Sequence, residues 1–205
     1  MTVAEVRLWG RRVGAVSWDA ERAIGRFEYA PEFLSSRIEV APLAMPLSSR
    51  VYSFPGFSRE SFHGLPGLVA DSLPDDFGHA LIDAWLARQG RDAASFDPVQ
   101  RLSYTGTRGM GALEYKPVLG PVASESESLD VAALVGLASE ILSQRGRLDA
   151  SLDTTGREQA MTQILRVGTS AGGARAKAVV AWNIETGEVR SGQLEAGDGF
   201  TQWLM

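Results

Sequence analysis

A chain of 205 residues, 44% hydrophobic and 22% charged, is long enough to bury a substantial core in one large domain or two small ones. It contains no cysteine, which excludes disulfides and thiolate metal sites, and its net charge of −5 argues against broad, non-specific binding to nucleic acid. No run approaches the ~20 apolar residues of a membrane span and the N-terminus lacks a basic-then-apolar secretory pattern, so no membrane association and a cytoplasmic location are expected.

The first part of the chain reads as strands. Val3, Val6 and Leu8 lead into Gly10, Val13 to Trp18 continues after a charged turn as in a hairpin, and Ile24 to Tyr29 supplies a third strand. Pro31, Pro42, Pro46 and Pro55 follow. Each proline fixes φ and removes a backbone donor, so no long helix fits before about residue 60.

A helix is expected after Pro74. Ser72 and the pair Asp75-Asp76 suit its start, because carboxylates favour the positive end of the helix dipole. Phe77, Leu81 and Trp85 recur at four-residue spacing, Ile82 and Leu86 widen the stripe, and Gly90 supplies a stop. A shorter helical piece runs from Pro98 to Tyr104. The cluster Gly106-Thr107-Arg108-Gly109-Met110-Gly111 then turns into an extended run from Ala112 to Pro117.

Pro117, Pro121 and the polar tract 124–128 read as a linker, dividing the chain into 1–122 and 123–205. Beyond it, Ser128 is expected to cap a helix whose Val131, Leu134, Val135, Ala138, Ile141 and Leu142 form one apolar face, ending before Gly146. Thr155-Gly156-Arg157-Glu158 has the spacing of a capping box and opens a second short helix through Leu165. Ala176 to Trp182, Gly187 to Ser191 and Phe200 to Met205 read as strands joined by turns.

The stretch from Val167 to Trp182 carries the strongest chemical signal. Gly168, Gly172 and Gly173, with Thr169 and Ser170, form a turn whose backbone N–H groups can approach phosphate oxygens closely, since glycine has no Cβ. Arg175 and Lys177 add the positive charge a polyphosphate needs nearby. The chain has only two lysines, Lys116 and Lys177, which makes Lys177 in this stretch conspicuous. Composition alone leaves the stretch open between a solvent-exposed hairpin and a phosphate cradle.

Other patterns carry less. Gly168-Thr169-Ser170-Ala171-Gly172 fits the G-x-S-x-G elbow of serine hydrolases, but no histidine follows Ser170 and the strand follows the turn rather than preceding it. Asp76-Phe77-Gly78 spells the kinase metal-binding triplet, yet it precedes the glycine-rich stretch and falls in the first turn of an amphipathic helix. The cluster around Arg108 reads first as a tight turn, and no G-x-x-x-x-G-K-[ST] phosphate loop exists. His63 and His79 have neither the spacing nor the partners of a metal site, so a structural or surface role is expected.

Taken together, these segments resemble the HipA family, the serine/threonine-kinase toxins of bacterial toxin–antitoxin pairs. Val6-Arg7-Leu8-Trp9-Gly10 with Val13-Gly14 looks like the family's first hairpin, and Gly67 to Asp75 like its segment leading into a helix. Gly109-Met110-Gly111-Ala112-Leu113, then Pro117, is similar to its G-x-G-A-L strand. Ser170-Ala171-Gly172-Gly173-Ala174-Arg175-Ala176-Lys177 is similar to its nucleotide loop. The resemblance implies an α+β fold, with a HipA-like N-terminal subdomain over 1–122 and the start of a kinase-like domain over 123–205.

It further implies that ATP phosphates are cradled by Ala171, Gly172, Gly173 and Ala174, assisted by Arg175 and Lys177, with Ser170 as the regulatory phosphorylation site. The family's nucleotide-binding lysine is due just where Phe200 to Met205 ends, and its catalytic and Mg2+-binding aspartates lie further on. No catalytic residue is therefore assigned here, and this chain alone is expected to be inactive. Expected partners are a helix-turn-helix antitoxin, through which any DNA contact is indirect, and a protein substrate of the translation machinery. The alternative reading is a non-catalytic module that docks an antitoxin or a separate kinase subunit.

Overall fold

Alternation of apolar and polar residues builds the first sheet. In the computed structural model, which describes residues 1–109, 111–121, 128–143, 163–164 and 177–205, that sheet holds β1 (Thr2–Leu8), β2 (Arg11–Asp19), β3 (Ile24–Tyr29) and β4 (Leu113–Lys116). Their order is β3-β2-β1-β4, antiparallel at every junction. Trp9 and Gly10, both at positive φ, make the tight turn between β1 and β2.

The register sets Ala4 opposite Val16, Val16 opposite Phe27 and Val6 opposite Tyr115. One face of the sheet is thereby apolar and buried. The other face is charged: Arg7 Nε lies 2.9 Å from Glu5 Oε1, and Arg12 Nε lies 3.6 Å from Glu5 Oε2. Such half-exposed pairs contribute only about 0–1 kcal/mol each. Gly14 is required at its place, because a Cβ there would stand 2.2 Å from the carbonyl oxygen of Glu28.

The chain divides into two compact units: Met1–Leu73 with Phe96–Leu119, and Pro74–Ser95 with Gly120–Met205. In the first, the buried sheet face is covered by the proline-punctuated segment after β3. It contains only the four-residue helices α1 (Pro31–Leu34), α2 (Arg59–Phe62) and α3 (Gly67–Ala70), as the prolines require. Phe33, Met45, Leu65 and Val69 from this segment are buried against Val6, Phe27 and Tyr115. The Tyr29 hydroxyl donates to the Met45 carbonyl at 2.7 Å, while its ring stands edge-on to Phe27 at 4.9 Å and stacks on Phe33 at 6.0 Å.

The short helix expected from Pro98 forms as α5 (Pro98–Thr105), helped by a capping box. Asp97 Oδ1 accepts from the Gln100 N–H at 2.9 Å, and the Asp97 N–H donates to Gln100 Oε1 at 2.9 Å. The other Asp97 oxygen accepts from the Thr2 hydroxyl at 2.5 Å, which ties the start of β1 to this helix.

The second unit contains α4 (Asp76–Arg88), begun by Asp75, whose Oδ1 accepts from the Gly78 N–H at 2.9 Å. Asp75, not Ser72, is the cap. Phe77, Leu81, Ile82 and Leu86 are buried as the four-residue spacing predicts, and Gly90 at positive φ follows the last turn. α4 packs against α6 (Val131–Ser143).

The cap of α6 differs from expectation. Asp130 Oδ1 accepts from the Ala133 N–H at 3.0 Å, whereas Ser128 forms a bridge with Arg190 and the Leu129 N–H donates to the Val189 carbonyl. Residues 128–129 are held extended by that pairing, so the helix starts only after it. Of the short helix expected over 155–165, only residues 163–164 are described, and they are helical.

A second antiparallel sheet has the order β6-β5-β7, from β5 (Val179–Trp182), β6 (Val189–Ser191) and β7 (Thr201–Leu204). All three strands fall where the alternation puts them. The protein is α+β, with antiparallel sheets and helices. Among the described residues, no helix is long and apolar enough to cross a membrane.

Candidate functional site

Of the residues assigned to an ATP loop, Ser170, Ala171, Gly172, Gly173, Ala174 and Arg175 lie outside the described residues, and Lys177 is described. Lys177 stands at the foot of β5. The next residue, Ala178, exchanges backbone hydrogen bonds with Met205 at 2.8 and 2.9 Å, which extends the β5–β7 pairing by one residue and holds the backbone beside Lys177.

Lys177 lines a groove of about 130 Å³ together with Phe77 of α4, Leu134 and Ala138 of α6, Val180 of β5 and Met205. Among the described residues lining it, Lys177 is the only charged one. A single ammonium at the edge of an apolar wall can pair with one anionic group while its aliphatic stem packs on the wall.

Asp75 adds a carboxylate to this end of the unit. Burial pushes its carboxyl up from the ordinary value, opposed by the Gly78 N–H and by the Lys177 ammonium. The triplet Asp76-Phe77-Gly78 is structural here. It forms the first turn of α4, with Phe77 buried and the Gly78 N–H engaged by the cap.

The loop between β6 and β7 is held by one arginine that the sequence reading did not single out. Arg190 donates from Nε to Glu188 Oε1 at 2.8 Å and from Nη1 to the Ala196 carbonyl at 3.0 Å, and its guanidinium lies 4.6 Å from the Phe200 ring centre. An arginine among a carboxylate, a carbonyl and a ring makes a rigid fork, but nothing local in the sequence reveals those partners. At Gly192 a Cβ would stand 2.6 Å from the Val179 side chain and 2.8 Å from its backbone, so β6 leaves the sheet by passing hard against β5.

The cluster around Arg108 serves as a turn. Gly106 at φ 60° donates to the Leu102 carbonyl at 2.8 Å and accepts from the Tyr115 N–H at 3.1 Å, so it joins the end of α5 to β4. Arg108 is 6% exposed, its guanidinium donating to the Tyr104 carbonyl and lying 5.1 Å from that residue's ring centre. His63 closes α2 in the left-handed conformation, while His79 sits in the first turns of α4 and its N–H donates to the Asp75 carbonyl at 2.8 Å. The two histidines belong to different units.

The fold so described is an α+β protein whose first sheet is completed by a strand from far along the chain, and whose second sheet begins at a lysine following a glycine-rich stretch. The family model of the HipA N-terminal domain matches residues 4–116, more than half of the chain, and the chain belongs to this family. The match runs from β1 to the end of β4. It takes in the opening hairpin, the segment from Gly67 to Asp75 and the strand after Gly109, whereas Ser170 to Lys177 lies beyond it. Comparison with curated proteins finds no match.

Proposed function

We propose that this chain is the N-terminal part of a HipA-like toxin kinase, which uses Mg-ATP to phosphorylate a serine or threonine of a protein of the translation machinery, such as an aminoacyl-tRNA synthetase, and is neutralised by a helix-turn-helix antitoxin. Membership of the HipA N-terminal domain family is the observation that carries this reading. The kinase-like domain begins in the region 123–205, and its glycine-rich loop covers the ATP phosphates. The protein works in the cytoplasm.

Within that loop the backbone of Ala171, Gly172, Gly173 and Ala174 faces the phosphates, with Arg175 and Lys177 supplying positive charge. Lys177 fits such a role chemically, because its ammonium offers three donors and is the one charge on its wall of the groove among the described residues. ATP, with its Mg2+, supplies the transferable phosphoryl group. A phosphate on Ser170 adds about −1.5 to −2 charge where the ATP phosphates belong, which repels them and turns the enzyme off. The catalytic groups lie in the full-length protein, and this chain by itself transfers no phosphate. With a net charge of −5, it leaves DNA contact to the antitoxin.

The test is phosphate transfer by the full-length protein in Mg-ATP, read by mass spectrometry, beside the Ser170→Ala variant and calorimetry with antitoxin. The expected result is phosphate on Ser170 and none on this chain incubated alone. Antitoxin binding with neither ATP binding nor phosphate transfer by the full-length protein would instead establish a non-catalytic docking module.

A further inference from the structure

The tip of the β1–β2 hairpin is built against its own backbone preference. Trp9 and Gly10 lie at φ 48° and 74°, and a two-residue turn with both values positive favours asparagine before the glycine. A bulky ring in the left-handed region is strained, and packing does not require it here. The indole is 78% exposed and makes no ring contact or hydrogen bond among the described residues. Arg11 beside it is exposed and has no carboxylate partner among the described residues. Arg7 and Arg12, in contrast, are held by Glu5 at 2.9 and 3.6 Å, and Arg12 also faces Glu32 at 3.7 Å. With those two paired, the tip lacks the several free cations a phosphate backbone needs. A projecting tryptophan with one spare guanidinium instead fits a protein surface that offers an apolar hollow and a carboxylate.

Such a surface exists on the second unit. The loop after β6, which Arg190 holds, frames a hollow of about 300 Å³. It is lined by Leu194, Ala196 and Phe200 and by the exposed carboxylates of Glu195 and Asp198. Neither carboxylate is ion-paired among the described residues, and the acidic excess of the chain lies entirely in this unit. A hollow of that size is at the small end of ligand pockets and suits a single aromatic side chain.

We propose that this hollow receives the hairpin tip of a second copy of the chain. The Trp9 ring enters beside Phe200, and the Arg11 guanidinium pairs with the Glu195 and Asp198 carboxylates. Reciprocal insertion about a twofold axis closes the assembly as a dimer. Two such tips bury less area than a standard interface, so dissociation falls in the range of roughly tens to hundreds of micromolar. The contact stands apart from the kinase reading and involves no nucleotide.

The test is sedimentation velocity of the full-length protein from about 5 to about 500 µM, where the wild-type mass is expected to rise from monomer towards dimer. Trp9→Asn suits the turn better, so it melts no lower than wild type yet weakens association by about tenfold or more. Those opposite signs separate a lost contact from a damaged fold. Arg11→Glu weakens association about tenfold, and so does Glu195→Arg joined with Asp198→Arg. All three charge reversals in one chain restore it, because the complementary signs are exchanged. A wild-type protein that stays monomeric throughout overturns the inference, as does a Trp9→Asn variant that associates like wild type or a triple variant that shows no rescue. It also falls if Trp9→Asn leaves the mass unchanged but loses binding to the antitoxin, or to a fluorescent single strand of about 20 nucleotides, because the tip then belongs to that partner.

Discussion

Replacing Tyr29 by Phe tests how the first core is held. The substitution removes a hydroxyl that donates to the Met45 carbonyl at 2.7 Å, where Tyr29 is 2% exposed and Met45 1%. The ring remains to pack on Phe27 and Phe33, so the change isolates one buried hydrogen bond. Both residues are almost fully buried, and a buried carbonyl left without its donor costs about 1–3 kcal/mol. A second signature comes from pH. Burial, with smaller contributions from Tyr52 and Glu39, pushes the Tyr29 phenol up to about 12 from its ordinary 10. The folded chain therefore keeps a proton that the unfolded chain releases above pH 10. The stabilisation is complete below pH 10 and lost as pH rises through 12, on the order of 1 kcal/mol being gone by pH 11. Tyr104 and Tyr115 are also pushed up by burial, and their share is common to both proteins. In urea unfolding by tryptophan fluorescence, Tyr29→Phe is expected to be less stable at pH 7 and to lose less between pH 9 and 11 than the wild type. A variant with wild-type stability at pH 7, or with the same alkaline fall, would refute the assignment.

Three further outcomes are expected. Asp97→Ala removes the capping box of α5 and the bond from Thr2, lowering stability by about 1–2 kcal/mol in thermal melts, while Asp97→Asn loses clearly less. Gly192→Ala forces a Cβ against the Val179 backbone and costs about 1–3 kcal/mol, seen as lost exchange protection at the Ala181 and Asn183 amides, which face β6. Wild-type protection there would show that the two strands yield easily. Arg190→Ala releases the loop between β6 and β7, so exchange in peptides over 193–200 rises about tenfold while the β5–β7 pairing is unchanged. Equal exchange in variant and wild type would mean the fork holds nothing.

Strands β1 to β3 were legible because their apolar residues alternate with period two, and one face must be buried. α4 was legible from its four-residue spacing and α5 from its proline start. The caps were less so. Ser72, Asp75, Ser128 and Asp130 are all residue types that cap helices, and only tertiary pairing decides among them. At 128–129, contacts with Val189 and Arg190 keep the chain extended until Asp130. At the candidate site, Lys177 stood out by its rarity and by its place after the glycine-rich stretch. Asp75 was visible as a helix start, and Arg190 gave no sign, because the turn after β6 that folds Ala196 and Phe200 back onto it is not written in residue spacing.

The excursion of residues Pro74–Ser95 out of the first unit bears on how the protein is made and cut. During synthesis, β1 to β3 emerge early, yet β1 keeps an open edge until Leu113–Lys116 arrives to pair with it, after α4 has already been produced. A fragment trimmed to residues 4–116 would include α4, with Phe77 and Leu81 on its apolar side, but not α6. It would also omit Thr2, the residue that bonds Asp97. Such a piece should be sticky and prone to self-association, and expressing the two units together is the sounder route to a soluble sample.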